Sequence, residues 1–152
     1  MKIALQNGLI PVEGNKDKAK WAKDHGVDAI ELSATKVETM KQQADDMLPI
    51  LPISTVCGNS YNGQWEGSFE FLNPDLKKRR QSIDAARDII KFCGQVGALG
   101  QIVVPIFGGP VVPDLSPFKT PIEIEDELCI AMLRELGPWA VENKTQVFLE
   151  AL

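Results

Sequence analysis

The chain has 152 residues, of which 44% are hydrophobic and 24% are charged, a composition typical of an ordinary globular domain with one buried core. Its formal net charge of -5 argues against a nucleic-acid surface, because phosphate binding needs clustered Lys and Arg. No apolar run approaches the roughly 20 residues that span a bilayer, and the N-terminus lacks an apolar signal segment, so we expect a cytoplasmic protein without a membrane partner.

The first half of the chain alternates between short apolar segments and amphipathic ones. Residues 2–6 predict a first strand, and a helix over residues 16–24 follows, with Asn15 as its N-cap and Gly26 just after its end. Residues 27–32 predict the second strand. A capping-box pattern from Thr35 to Glu38 then predicts a helix whose apolar residues keep helical spacing as far as Leu48.

The second half continues the alternation. Residues 50–56 predict the third strand, and Asn73 before Pro74 predicts the start of a long helix. Residues 102–107 and 146–149 predict the fourth and fifth strands. Between them a helix is expected to start at Thr120, and Pro138 is expected to kink it or end it early. With right-handed crossovers, this order of elements predicts five parallel strands.

Two parallel folds fit this order, a (β/α) barrel of TIM type and a flavodoxin-like open sheet. A flavin or receiver domain places a phosphate-binding loop or an acidic cluster after the first strand, whereas Gln6, Asn7 and Gly8 offer neither. The long segments 57–73 and 108–119 both follow strands, where a barrel carries its active-site loops. We therefore predict one incomplete barrel domain over residues 1–152, truncated after about four and a half β/α units; the open sheet is the alternative.

Several stretches together resemble the xylose isomerase-like barrel superfamily, the sugar phosphate isomerase/epimerase group. They are residues 26–32, residues 71–74 with the helix that follows, residues 97–100, 136–140 and 147–152. Their order and spacing carry the resemblance. The most informative is the last, whose LEAL is similar to the family's fifth-strand LEPLN motif, with Ala151 in place of proline. The resemblance implies the N-terminal part of a sugar or sugar phosphate isomerase or epimerase.

The resemblance gives Glu150 the role of a catalytic ligand to a divalent metal, Mn²⁺, Mg²⁺ or Co²⁺. A carboxylate that ends an apolar strand is costly to bury without a cation or hydrogen bonds, although a solvated acid at the chain end is the alternative. In the family, an Asp, a His and a Glu from the sixth to eighth strands complete the site and an enediolate forms. This chain contains none of those strands, so we expect no tightly bound metal and no activity from it alone.

Other residues at strand ends are expected to contact a carbohydrate or sugar phosphate substrate. Glu31 closes the second predicted strand, although a structural carboxylate is the alternative there, and the aromatic insertion around Trp65 could equally form a small satellite core. His25, the only histidine, lies at a helix end far from this site, which argues against the zinc-dependent endonuclease branch of the superfamily. The expected substrate contacts are Glu31, Cys57, Gly58, Trp65, Phe107 and Gly108.

Two classes of function stay open, a fragment of a sugar isomerase or epimerase and a non-catalytic half-barrel that acts in interaction or assembly. Either would leave the first and fifth strands as unpaired edges. We expect the inner face of the sheet to be apolar, and therefore predict a symmetric homo-oligomer, with a dimer favoured. The residues expected on that face are Ile3, Leu5, Ile30, Ile53 and Val103 or Val104.

Overall fold

The computed structural model describes residues 1–60, 70–105 and 111–150. Its strands are β1 (Ala4–Gln6), β2 (Ala29–Ser33), β3 (Ile53–Cys57), β4 (Gly100–Val103) and β5 (Gln146–Leu149). Its helices are α1 (Asn15–Asp24), α2 (Val37–Met47), α3 (Leu76–Val96) and α4 (Pro121–Glu142), with a 3-10 turn at Asn7–Leu9 after β1. No helix in these three ranges is both long and apolar enough to cross a membrane.

The order of the strands distinguishes the two folds. All five strands are parallel, and each pairs with the next one in sequence, in the order β1-β2-β3-β4-β5. A flavodoxin-like sheet would instead place β1 between β2 and β3. Sequential pairing with right-handed crossovers puts every helix on the same side of the sheet, and the helices contact one another in chain order. The barrel prediction is therefore confirmed, as a truncated barrel with five of the usual eight strands.

The core lies between the sheet and this helix layer. One cluster joins β1, β2 and β3 to α1, α2 and α3, and a second joins β4 and β5 to α3 and α4. Ile30, Ile53 and Val103 belong to these clusters and are buried against the helices. The prediction that they line the inner face was therefore wrong. In a barrel the residues that alternate toward the helices carry the apolar burial, while the inner residues at the strand ends are free to be polar.

The helix starts follow local hydrogen bonding. Thr120 and Glu123 form the predicted capping box of α4, whereas the capping box predicted for α2 is absent and Lys36 precedes that helix without a side-chain cap. The N-cap of α3 is Asp75, which accepts from the Lys77 amide at 2.8 Å, so the start predicted at Asn73 was too early. Helix α1 begins at Asn15 itself, after Gly14.

Helix α4 continues through Pro138 to Glu142, so of the two effects predicted for this proline, a kink or an early end, the early end was wrong. Proline lacks the amide that would close one backbone hydrogen bond and so weakens the helix at that turn. On either side of it, Leu136 and Ala140 are buried in the core cluster between α4 and the sheet. Packing of this face therefore holds the last turns in helical conformation.

Candidate active site

The inner face of the sheet, the face turned away from the helices, carries polar side chains. Strand register aligns Gln6 of β1, Glu31 of β2 and Thr55 of β3 in one row across three neighbouring strands. The next row toward the strand ends contains Ser33 and Cys57. Because parallel strands all end at the same edge, these rows lie at the mouth of the half-barrel, where barrel enzymes hold their substrates.

A β-bulge in β3 places two of these residues. Ile53 pairs with Ile30, but Glu31 then pairs with Thr55, so Ser54 is an extra residue in the ladder. The Ser54 hydroxyl donates to the Ile30 carbonyl oxygen at 3.2 Å, next to the interruption. A one-residue offset reverses the faces that all later side chains take. Without the bulge, Thr55 and Cys57 would face the helices instead of the mouth.

Glu31 bridges the side chains of the strands on either side of it. Its Oε2 accepts a hydrogen bond from the Thr55 hydroxyl at 2.8 Å, and its Oε1 accepts a longer one from the Gln6 amide Nε2 at 3.4 Å. The carboxylate is partly buried and uses both of its oxygens. One side chain therefore links β1, β2 and β3 across the inner face.

The turn after β1 is held against β2 in a similar way. Asn7 is buried, and its Oδ1 accepts from both the amide and the hydroxyl of Ser33, each at 3.1 Å. Lys18 of α1 donates its ammonium group to the Asn7 carbonyl oxygen at 3.1 Å. These bonds fix the direction in which the chain leaves β1, next to Gln6.

Cys57 ends β3 on the inner face of the sheet. Burial raises the pKa of its thiol, the negative charges of Glu31 and Glu150 raise it further, and a hydrogen bond from the Gln6 side chain lowers it. Groups on β1, on β2 and at the end of β5 thus all influence one thiol.

Gly58 and Glu150 take their positions from backbone hydrogen bonds. Gly58 follows β3 with a φ of 87°, a left-handed conformation that favours glycine, and its amide donates to the Ile102 carbonyl oxygen at 2.9 Å. Its own carbonyl accepts from the buried side chain of Gln101 at 2.8 Å. The Glu150 amide continues the β4–β5 ladder by donating to the Val103 carbonyl oxygen at 3.0 Å.

The sequence-predicted residues divide into two groups. Glu31 and Cys57 lie on the inner face and Gly58 follows Cys57, Glu150 directly follows β5 and its charge acts on the Cys57 thiol, and Trp65, Phe107 and Gly108 lie outside the described residues. Two residues at the mouth, Gln6 and Thr55, were missed. Gln6 had a signal, since it is a polar residue at the end of an apolar strand, but Thr55 had none because the bulge that turns it inward leaves no pattern in the sequence.

The donor set at the mouth does not complete a metal centre. In the three described ranges, no group of three or more His, Cys, Asp or Glu side chains is arranged to hold a metal ion. Glu150 therefore belongs to no such group among these residues. The metal implied by the family resemblance would need further ligands beyond them.

A separate groove lies on the outer layer, between α2 and α3, and extends to Thr35 and Ser60, which follow β2 and β3. Its rim carries charges of both signs, from Lys36, Glu38 and Lys41 on one side and Asp84, Asp88 and Lys91 on the other. Such a mixed rim gives no net attraction for an anionic or a cationic ligand. The polar mouth, and not this groove, is therefore the candidate site.

Comparison with protein families identifies the lineage. Residues 19–152 match the xylose isomerase-like TIM barrel family, which is most of the chain. The chain belongs to that family. A comparison with curated proteins finds no match. The structural relatives of this xylose isomerase-like chain include sugar epimerases.

Three solved structures illustrate the similarity. The 3-keto-D-glucoside 4-epimerase YcjR from E. coli superposes on all of this chain with 22% identity and a TM-score of 0.77, and 56% of YcjR is covered. The D-allulose 3-epimerase from Methylomonas sp., in complex with D-allulose, gives 12% identity and a TM-score of 0.74, with all of this chain and 51% of the epimerase covered. The IOLI protein with a bound zinc atom gives 14% identity and a TM-score of 0.58, with 98% of this chain and 51% of the IOLI protein covered.

These similarities, all at low sequence identity, show a shared fold. This xylose isomerase-like chain spans about half the length of the structures that it matches.

Proposed function

We propose that this chain forms the N-terminal part of a divalent-metal-dependent sugar or sugar phosphate isomerase or epimerase that acts through an enediolate. The observation that carries the proposal is the hydrogen-bonded row of Gln6, Glu31 and Thr55 next to Cys57, at the strand ends of a fold shared with sugar epimerases. Carboxylates and carboxamides are the groups that bind the hydroxyls of a sugar. Glu150 is proposed as the catalytic metal ligand that this chain contributes.

The chain's own residues are assigned binding and positioning roles. Glu31, Cys57 and Gly58, with Gln6 and Thr55 beside them, are proposed to contact the substrate. The same is proposed of Trp65, Phe107 and Gly108, which follow β3 and β4 in the sequence. Because the described residues supply a single proposed metal ligand, the 152-residue chain is proposed to hold neither Mn²⁺, Mg²⁺ nor Co²⁺ tightly and to lack turnover.

A substrate-protection experiment tests the site. Cys57 is partly exposed, so a ketohexose bound at the mouth should slow its alkylation by iodoacetamide. We expect D-allulose to protect Cys57 in a saturable way and the acyclic, non-sugar polyol ethylene glycol to leave the rate unchanged at equal concentration. Alkylation that is equally fast at every D-allulose concentration would contradict a sugar site at this mouth.

Turnover is tested on the same chain. With D-allulose or D-fructose and Mn²⁺, Mg²⁺ or Co²⁺, we expect no epimer or isomer to appear in proton NMR spectra. Metal-dependent turnover that Glu150→Gln abolishes would overturn the proposed inactivity. It would at the same time support the proposed ligand role of Glu150.

A second candidate function, assembly, is favoured by an exposed apolar surface. Ile122, Ile130 and Val141 lie within about 100° of one another around α4 and are all exposed, and Leu149 of the neighbouring β5 is half exposed. In the described residues β5 pairs on one side only, with β4. A homo-oligomer, with a dimer favoured, would cover this α4–β5 surface.

We also propose a cytoplasmic location. All three cysteines, Cys57, Cys93 and Cys129, are unpaired thiols. Reduced thiols are the usual state in the cytoplasm, whereas exported proteins more often pair their cysteines.

A further inference from the structure

We propose that Glu31 is a positioning residue whose carboxylate orients the Gln6 carboxamide, so that the amide of Gln6 faces Cys57 and its carbonyl oxygen faces the mouth of the half-barrel. The inference deepens the proposed function, on which it rests only in taking this mouth as the substrate pocket. The residues that it involves, Gln6, Glu31, Thr55 and Cys57, all lie in the part of the chain that the structure describes.

The two oxygens of Glu31 are engaged from opposite sides. Thr55 donates to Oε2 at 2.8 Å from β3, and Gln6 donates to Oε1 at 3.4 Å from β1. All three residues lie in one row of the sheet. The shorter bond from Thr55 holds the carboxylate in place, so that Oε1 stays directed at β1.

A carboxylate can orient a carboxamide because it accepts hydrogen bonds and does not donate them. The two ends of the Gln6 side chain have nearly the same shape, and either could in principle face Glu31. A flipped amide would place the Gln6 carbonyl oxygen against a negatively charged oxygen, which is unfavourable. The charge of Glu31 therefore selects the orientation in which Nε2 faces the carboxylate.

This orientation has consequences at both ends of the Gln6 side chain. Its amide reaches Cys57, where the hydrogen bond stabilises the thiolate. Its Oε1 is left on the side of the turn after β1, where a Cβ placed on Gly8 would lie 3.9 Å from it. Gln6 Oε1 is thus held as a fixed acceptor for a hydroxyl hydrogen of a bound sugar.

The test follows the alkylation rate of Cys57 with pH, and it needs neither sugar nor metal. Cys129→Ser is the background, because Cys129 is partly exposed while Cys93 is fully buried. The effect of Gln6→Ala on the alkylation rate is measured in three chains, which carry Glu31, Glu31→Ala or Glu31→Gln. Gln146→Ala removes another carboxamide from the same row, at the far strand β5, and serves as the matched control.

With Glu31 present, Gln6→Ala should slow alkylation below the thiol pKa by about threefold, because the thiolate loses a donor. With Glu31→Ala this effect of Gln6→Ala should disappear, since nothing then holds the amide toward the sulfur. With Glu31→Gln the effect should be clearly smaller than with Glu31, because a neutral carboxamide donates as well as accepts and no longer selects one orientation of Gln6. Gln146→Ala should leave the rate unchanged.

Equal effects of Gln6→Ala with and without the Glu31 side chain would overturn the proposal. If Glu31→Ala does not fold, the same question is answered in the wild-type chain by the NMR resonances of the Gln6 side-chain amide during a pH titration. They should shift as the Cys57 thiol ionises, and resonances that do not follow this ionisation would reject the proposal. If D-allulose does not protect Cys57 but Glu31→Ala still abolishes the effect of Gln6→Ala, the proposed function is rejected and the positioning role of Glu31 is not.

Discussion

Cys57 reports on the side chains that surround it. Its thiol pKa is raised by burial and by the charges of Glu31 and Glu150, and it is lowered by Gln6. Because alkylation requires the thiolate, the reaction rate at a fixed pH measures these influences in the folded chain. A residue of the chain itself can therefore show where the Glu150 carboxylate lies.

We expect Glu150→Gln to speed the alkylation of Cys57 at a pH below the thiol pKa by about twofold or more. The substitution removes a nearby negative charge while it keeps the size of the side chain, so the thiol pKa falls. The rate is measured with iodoacetamide in the Cys129→Ser background. Glu142→Gln, an exposed acid at the end of α4, is the control and should have no effect. An unchanged rate for Glu150→Gln would place its carboxylate away from the mouth.

Cys93 makes the stability of the chain depend on pH. It is fully buried in α3, and burial raises the pKa of its thiol from 9.0 to about 12. The unfolded chain therefore loses this proton at a lower pH than the folded chain does. The stabilisation that comes from burying the neutral thiol is therefore complete below pH 9 and is lost as the pH rises toward 12.

We expect the free energy of unfolding to fall with pH between 9 and 12 more steeply in the wild type than in Cys93→Ala. The difference in slope should reach about 1.4 kcal/mol per pH unit, the value for one proton. Urea denaturation at several pH values measures it. Parallel slopes for the two proteins would mean that the folded state tolerates the thiolate.

At the scale of the elements, close contacts between neighbours depend on two glycines. A Cβ at Gly100 of β4 would lie 1.9 Å from the Gln146 carbonyl oxygen of β5, and one at Gly94 of α3 would lie 2.5 Å from the Asn143 carbonyl oxygen after α4. Both clashes are with backbone atoms, which cannot rotate away. These glycines let the last β/α unit dock against the one before it.

We expect Gly100→Ala to destabilise the chain by about 3 kcal/mol or to detach β5, because β5 would have to move away from β4. Gly137→Ala is the control, since it adds the same methyl group inside α4, where no atom beyond the neighbouring residues and the helix backbone lies within 4 Å of the new Cβ. That change should alter the stability by less than about 1 kcal/mol, because the helical advantage of alanine is opposed by Pro138, which disfavours a helical residue with a Cβ before it. Urea denaturation distinguishes them, and equal stabilities would refute the close-contact argument.

At the scale of the whole molecule, part of the exposed apolar surface lies where the sequence did not predict it. The inner face carries the polar row of Gln6, Glu31 and Thr55 next to Ile102 and Phe148. Four exposed apolar side chains, Ile122, Ile130, Val141 and Leu149, lie instead on the α4–β5 surface. Association is therefore expected through the side of the half-barrel that carries α4.

We expect sedimentation equilibrium at micromolar concentration to show a homo-oligomer and Ile130→Lys to shift it to monomers. In the oligomer the α4–β5 surface would be buried, and a lysine charge in its middle would lack a partner, which costs several kcal/mol. Leu76→Lys, at an exposed apolar position that starts α3, is the control and should not change the mass. A well-folded wild-type monomer would contradict the proposed assembly.

The sequence by itself determined the alternation of strands and helices, the start of α4 at Thr120 and the family, because these depend on short-range patterns and on the order of motifs. It also predicted Glu31, Cys57 and Glu150 at strand ends. Cys57 ends β3 and Glu150 follows β5, whereas Glu31 lies two residues before the end of β2. It did not predict the start of α3, where Asp75 and not Asn73 is the N-cap. It also did not predict that α4 continues past Pro138, where core packing of Leu136 and Ala140 outweighs the local effect of proline.

Tertiary structure alone decided which faces the strands present and which side chains meet. Thr55 faces the mouth because Ser54 is an extra residue in β3, and an offset of this kind changes no residue type that a pattern could detect. Gln6 and Thr55 reach Glu31 across sequence separations of 25 and 24 residues. Such contacts depend on the register of three strands, which forms only when the sheet and its helix layer pack together.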